Sequence, residues 1–213
     1  MILPCVDGCT EFPDAKQALQ DPDGLLCFGG DLSVERLKNA YAHGIFPWYS
    51  VGEPILWWSP SERMVLPPAE LRINRSFKKT LNRLQPVYHL NRHFDRVIEC
   101  CARIPRKDQG TWIHPEMIKA YQDMFAAGHA FCLEVEVDGQ LAGGIYGVKT
   151  PRVWCGESMF SLQSDGSKLA MHGLCQHLLA AGIELLDCQL HNPHLESMGA
   201  RLISRTEFMT FLK

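Results

Sequence analysis

The chain has 213 residues, 46% of them hydrophobic and 21% charged, with a formal net charge of −3. That length allows one large domain or two small ones, and the apolar share suffices for a packed core, which excludes bulk disorder. A mildly acidic chain is not a polycation for nucleic acid, so any such contact must come from a local patch.

The nine cysteines are an odd number and form no paired Cys-x-x-Cys knuckles; Cys5 and Cys9 have ligand spacing but no partner pair follows. No metal site is therefore expected. Most of the later cysteines sit in apolar runs and read as small buried hydrophobes, a usage that suits a reducing cytosol. The sequence shows no charged start followed by a long apolar segment, and no run long enough to span a bilayer. The expectation is a soluble, unexported, cytoplasmic protein.

Taken in order, residues 1–20 show little periodicity. Asp21-Pro-Asp-Gly24 is a strong turn signal, and Gly29-Gly-Asp31 is another. Asp31 or Ser33 can cap a helix from Ser33 to His43, which Gly44 ends. Trp48, Trp57 and Trp58 then crowd two short aromatic runs, which serve either as the core of a small domain or as a wall for a flat ligand such as a base. Around Arg63 the composition changes, and Pro67 and Pro68 mark a boundary or linker.

A helix is predicted over Asn74–Arg83, with Arg75, Lys78, Lys79 and Arg83 on one face and Phe77 and Leu81 on the other. Such a face is either solvated or a phosphate contact. A second helix spans His93–Arg103, with Phe94, Val97, Ile98 and Cys101 inward, and a third runs from Pro115 to Ala127 after a loop that leads to Trp112. Three strands follow, Ala130–Val137, Gln140–Val148 and Arg152–Phe160, with Asp138-Gly139 as a hairpin turn. A helix over Ser167–Ala181, a strand over Ile183–Leu190 and a last strand near Leu202 complete the chain. Helices, a meander, then helix and strand make an α+β protein.

Two of these strands carry a carboxylate inside an apolar run: Glu157 in Val153–Phe160 and Asp187 in Leu185–Leu190. A carboxylate buried in a strand is costly unless paired. Asp187 and Gln189 are two residues apart and so face one side of their strand. Glu157, Asp187 and Gln189 are expected to line one pocket for a positively charged ligand, against the plainer alternative that each carboxylate satisfies an amide or an arginine.

Element order also suits a CoA-dependent N-acetyltransferase, but Ser161-Leu-Gln-Ser-Asp-Gly-Ser-Lys168 is a poor match to the glycine-rich pyrophosphate loop of such enzymes. A different family fits better. Gly29-Gly-Asp-Leu-Ser33, Gly44-Ile-Phe-Pro-Trp48, Pro54-Ile-Leu-Trp-Trp-Ser-Pro60, Thr111-Trp-Ile113, Gly143-Gly-Ile-Tyr-Gly-Val148, Gly156-Glu-Ser-Met-Phe-Ser161 and Asp187-Cys-Gln189 form an ordered set that resembles leucyl/phenylalanyl-tRNA–protein transferase over nearly the whole chain. Leu162 and Glu136 depart from the family's usual residues.

The resemblance implies a small N-terminal domain, residues 1–62, and a C-terminal N-acetyltransferase-like (GNAT-like) domain, residues 63–213, whose mixed sheet is flanked by helices. It implies transfer of Leu or Phe (also Met) from aminoacyl-tRNA to the α-amine of proteins beginning with Arg or Lys, which marks them for the bacterial N-degron pathway. No CoA, other cofactor or metal is implied. In that reading Gln189 orients the amine and Asp187 holds or receives its proton, directly or through Gln189. Glu157 binds the acceptor N-terminus by pairing with its basic side chain. Trp48, Trp112 and Ile145 form the aminoacyl and adenosine pocket, and Arg75, Lys78, Lys79 and Arg83 meet tRNA phosphates. A non-catalytic tRNA-binding module is the alternative of another class, and it leaves the two buried carboxylates without a task.

Overall fold

The computed structural model describes residues 3–104 and 111–213. The loop expected before Trp112 falls largely on 105–110, outside the described residues.

Two sheets organise the described residues. The smaller has three antiparallel strands, β1 (Leu25–Phe28), β2 (Phe46–Pro47) and β3 (Leu56–Trp58), in the order β1-β3-β2. Helix α1 (Val34–Ala42) lies between β1 and β2. Ser33 caps it as expected, its hydroxyl accepting the Arg36 N–H at 3.4 Å, and Gly44, at φ +70°, takes the chain out. Strand β1 is not legible in the sequence, because four residues between two turns are too short for a period. It is fixed instead by close packing: a Cβ on Gly24 would lie 2.5 Å from the Pro60 backbone. The tryptophans divide: Trp57 is fully buried and donates to the Gly29 carbonyl at 2.9 Å, while Trp48 stays 39% exposed.

The larger sheet has seven strands: β4 (Glu62–Leu66), β5 (Val87–Leu90), β6 (Ala130–Val137), β7 (Gln140–Lys149), β8 (Val153–Ser161), β9 (Leu185–Gln189) and β10 (Arg201–Ser204). Their order is β10-β4-β9-β8-β7-β6-β5, antiparallel throughout except for the β8–β9 pair. Asp138 and Gly139, at φ +50° and +73°, make the predicted turn between β6 and β7. Alternate residues serve opposite faces. Cys132, Tyr146 and Cys155 join one cluster with α1, α3 (Phe94–Arg103) and α4 (Pro115–Ala126). Leu133, Ile145 and Trp154 join another with α2 (Arg75–Leu84) and α5 (Gly166–Ala180). Two short helices, α6 (Pro193–Ser197) and α7 (Arg205–Met209), flank β10.

Strands β4 and β5 and helix α7 go beyond the sequence reading. Pro67 and Pro68, read there as a boundary, instead sit at a turn after β4, which already pairs with β9 and β10. The β8–β9 pair matters most. It has three rungs, Val153↔Leu185, Trp154↔Leu186 and Cys155↔Asp187. Past them β9 ends at Gln189, whose φ of +63° breaks the strand, and a cleft opens against β8.

Candidate active site

Glu157 is the second residue of β8 beyond the last rung, and it is 91% buried. Its Oε1 accepts from the Tyr41 hydroxyl at 2.7 Å and from Gln189 Nε2 at 2.8 Å. Its Oε2 accepts from the Tyr121 hydroxyl at 2.9 Å. Helices α1 and α4 thus deliver a phenol each to one carboxyl. Burial pushes the Glu157 carboxyl up to about 7, against the opposing pull of the two tyrosine hydrogen bonds, with Asp187 adding to the rise. Burial and the Glu157 charge hold both phenols well above their ordinary value.

Asp187 has a different neighbour. Arg63 of β4 grips it at two points, Nε to Oδ1 at 2.9 Å and Nη2 to Oδ2 at 2.8 Å, and both side chains are buried. Oδ1 also accepts the Gln189 backbone N–H at 2.8 Å, which holds Gln189 in its left-handed conformation. The Gln189 amide points its nitrogen at Glu157, so its oxygen remains to accept from a ligand.

Among the described residues, two clefts share Glu157 and Gln189 as walls. The larger, about 520 Å³, is apolar on one side through Ile145, Met159, Met171, Leu186 and Leu195. The smaller, about 210 Å³, is aromatic through Phe46, Trp48 and Trp112. The structure therefore brings Glu157, Gln189, Trp48 and Trp112 together, sets Ile145 in the neighbouring cleft, and places Asp187 behind them. Arg75, Lys78, Lys79 and Arg83 lie on the exposed face of α2, and among the described residues none of them forms an ion pair.

Arg63, Tyr41 and Tyr121 are the site residues that sequence reasoning missed. Arg63 directly precedes the apolar run Met64-Val-Leu66 and follows the exposed Glu62, so its burial carried a weaker signal than that of Asp187. Tyr41 and Tyr121 occupy inward positions of α1 and α4, where a phenol requires a polar partner. No group of three or more His, Cys, Asp or Glu placed to hold a metal occurs among the described residues. No helix among them is long and apolar enough to cross a membrane.

Residues 65–213 match the family model described as leucyl/phenylalanyl-tRNA protein transferase, and residues 30–61 match the model of that enzyme's N-terminal domain. The leucyl/phenylalanyl-tRNA–protein transferase of Chromobacterium violaceum is 50% identical over 212 residues, 100% of this chain and 91% of that one. The protein of the same name from Aliivibrio fischeri is 48% identical over 204 residues, covering 96% and 85%. Among solved structures, FemX superposes with a TM-score of 0.51 at 10% identity, over 80% of this chain and 66% of that one. That likeness concerns the fold alone, and it agrees with the expected GNAT-like second domain.

Proposed function

The chain belongs to the leucyl/phenylalanyl-tRNA–protein transferase family, and from that premise we propose how its site divides between two substrates. The enzyme is an aminoacyltransferase that takes aminoacyl-tRNA and an acceptor protein. In our reading the donors are Leu-tRNA and Phe-tRNA, the acceptors begin with Arg or Lys, and the reaction runs in the cytoplasm. Residues 1–62 and 63–213 act as the two domains.

The observation that carries this reading is the 2.8 Å bond between Gln189 and Glu157, two side chains common to an apolar and an aromatic cleft. Trp48 and Trp112 offer flat faces for the terminal adenine. Ile145, with Met159 and Met171, offers an apolar slot for a leucyl or phenylalanyl side chain. The ester carbonyl then lies at the shared wall, where the acceptor α-amine is oriented by the Gln189 oxygen and drawn by the negative charge of Glu157. Asp187 acts through Gln189, whose backbone it holds. The basic face of α2 meets tRNA phosphates.

An aminoacyl ester is already activated, and an α-amine with a pKa of about 7.7–8.0 is partly neutral at cytosolic pH. Alignment of the two contributes on the order of 7 kcal/mol or more. Acetyl-CoA is a poor alternative donor. At the start of α5, where a pyrophosphate would be cradled, Ser161 Oγ already accepts the Ser167 N–H at 2.7 Å, and Gly166 packs on the Ala142 carbonyl.

The test is transfer of radiolabelled leucine from Leu-tRNA to a peptide beginning with Arg, beside one beginning with Ala, with labelled acetyl-CoA as a separate donor. Transfer from tRNA to the Arg peptide alone is the expected result. Acetylation without transfer from tRNA overturns the reading.

A further inference from the structure

Four oxygen atoms meet between β8, α1 and α4. The Tyr41 and Tyr121 hydroxyls lie 2.6 Å apart, Tyr41 lies 2.7 Å from Glu157 Oε1, and Tyr121 lies 2.9 Å from Glu157 Oε2. All three separations are those of hydrogen bonds, and each needs one proton between its oxygens. The two phenols bring two protons. While Glu157 is ionised both phenols donate to it, and the phenol–phenol contact holds none. A third proton, on the carboxyl, closes a ring: Tyr121 donates to Tyr41, Tyr41 to Oε1, and Oε2 to Tyr121.

The groups around Glu157 favour taking up that proton. Asp187 on β9 adds negative charge beside it, Cys155 on β8 is held as a neutral thiol by burial, and Tyr146 on β7 stands next to Tyr121. Arg63 on β4 is committed to Asp187. A carboxylate has about four acceptor positions. Among the described residues Tyr41, Tyr121 and Gln189 fill three, so one remains for a ligand in the clefts. One position suits a single ammonium N–H and not the two-point grip of a guanidinium.

We propose that Glu157 is the proton acceptor of the transfer reaction, receiving a proton of the acceptor's α-ammonium into its ring with Tyr41 and Tyr121. This rests on the assignment of the cleft to an acceptor amine made above. Glu157 takes one ammonium proton, and the neutral nitrogen attacks the ester carbonyl carbon. The bond from that carbon to the ribose oxygen breaks as the amide forms. The second nitrogen proton goes to the ribose oxygen, and the carboxyl gives its own to solvent on product release. A carboxyl near 7 and an amine at about 7.7–8.0 are close enough for the proton to pass at little cost.

The test pairs a spectroscopic titration with single-turnover kinetics on the full-length enzyme, Leu-tRNA and a peptide beginning with Arg, varied up to saturation. In the infrared, the carboxyl band that Glu157→Gln abolishes titrates in the wild type, and Tyr121→Phe, which removes a donor to the carboxylate and a member of the ring, shifts its midpoint. The acid limb of the rate profile moves with it. At neutral pH Glu157→Gln lowers the rate by roughly 10²–10⁴-fold, with acceptor KM changed by a few-fold at most. That deficit shrinks once the pH passes the amine's own pKa, because the substrate then arrives neutral. A deficit constant at all pH, a raised KM with kcat intact, or a band unmoved by Tyr121→Phe overturns the proposal while leaving the family activity in place. A wild-type enzyme that transfers nothing to the Arg peptide overturns the assignment of the cleft itself.

Discussion

Arg63 and Asp187 form a buried two-point ion pair, with both contacts under 3 Å and the guanidinium held between the rings of Phe46 and Phe208, each 4.7 Å away. Arg63 also donates to the Gly44 carbonyl at 3.2 Å. One side chain thereby joins β4, β9, the loop before β2 and α7. Removing it strands a charge. Arg63→Met, with Asp187 kept, is expected to lose about 3–5 kcal/mol of stability in denaturant titration. Arg63→Lys should lose a similar part, because a point charge reproduces neither the fork nor the ring stacking. The double variant Arg63→Met/Asp187→Leu should recover most of the stability without activity, since the Gln189 N–H then lacks its acceptor.

Glu157 makes stability depend on pH in a stated direction. Its folded pKa is raised from 4.5 to about 7, so between those values the folded chain keeps a proton that the unfolded chain releases. The contribution is most favourable at low pH, where both states are protonated, and falls as pH rises towards the folded pKa. Above that it is a constant cost on the order of 3 kcal/mol. Subtracting the stability curve of Glu157→Gln from that of the wild type should reveal this fall, and a difference that rises with pH contradicts it.

Trp48 is partly exposed and packs on Trp58 with ring centroids 5.5 Å apart. Its loss removes little core. Trp48→Ala should melt close to the wild type yet raise KM for aminoacyl-tRNA by roughly 5–100-fold, the equivalent of about 1–3 kcal/mol of base stacking. An unchanged KM places the adenine elsewhere.

The α2 face is tested by salt. Each of Arg75→Ala, Lys78→Ala, Lys79→Ala and Arg83→Ala that removes a phosphate contact should weaken tRNA binding. It should also reduce the slope of log K against log salt by about one. Variants that leave the slope unchanged identify side chains that are merely solvated.

Gly143 tests the join between β7 and α5. A Cβ there would lie 2.5 Å from the Gly166 carbonyl oxygen, a backbone atom that cannot swing aside. Gly143→Ala should cost about 1–3 kcal/mol in thermal or chemical unfolding. A neutral effect means that the helix can shift.

Much of the larger sheet was legible because its strands are long and its turn residues unambiguous, as at Asp138 and Gly139. Of the strands with only four or five residues, β9 and β10 were read from the sequence but β1, β4 and β5 were not, since so short a run carries no reliable period and exists through its partners. Within the site, Glu157 and Asp187 stood out as charges in apolar runs. Their partners did not, since Arg63 lies 124 residues from Asp187 and Tyr41 lies 116 from Glu157. The expectation that Glu157 pairs with a basic side chain came from charge alone. Tyr41, Tyr121 and Gln189 already bond to that carboxyl, and the proposal made above gives its remaining position to the α-ammonium.

Sequence by itself determined the α+β class, the long elements, the family resemblance and the carboxylates that had to be paired somewhere. These follow from local patterning and from the cost of burying charge, both written along the chain. The tertiary structure decided what pairs with what: Arg63 with Asp187, and Tyr41 and Tyr121 with Glu157. It also decided that Ile145 and the tryptophans face separate clefts across one shared wall. Hydrogen bonds of 2.6–2.9 Å between residues more than thirty apart depend on where helices come to rest on a sheet, which only packing of the whole chain sets.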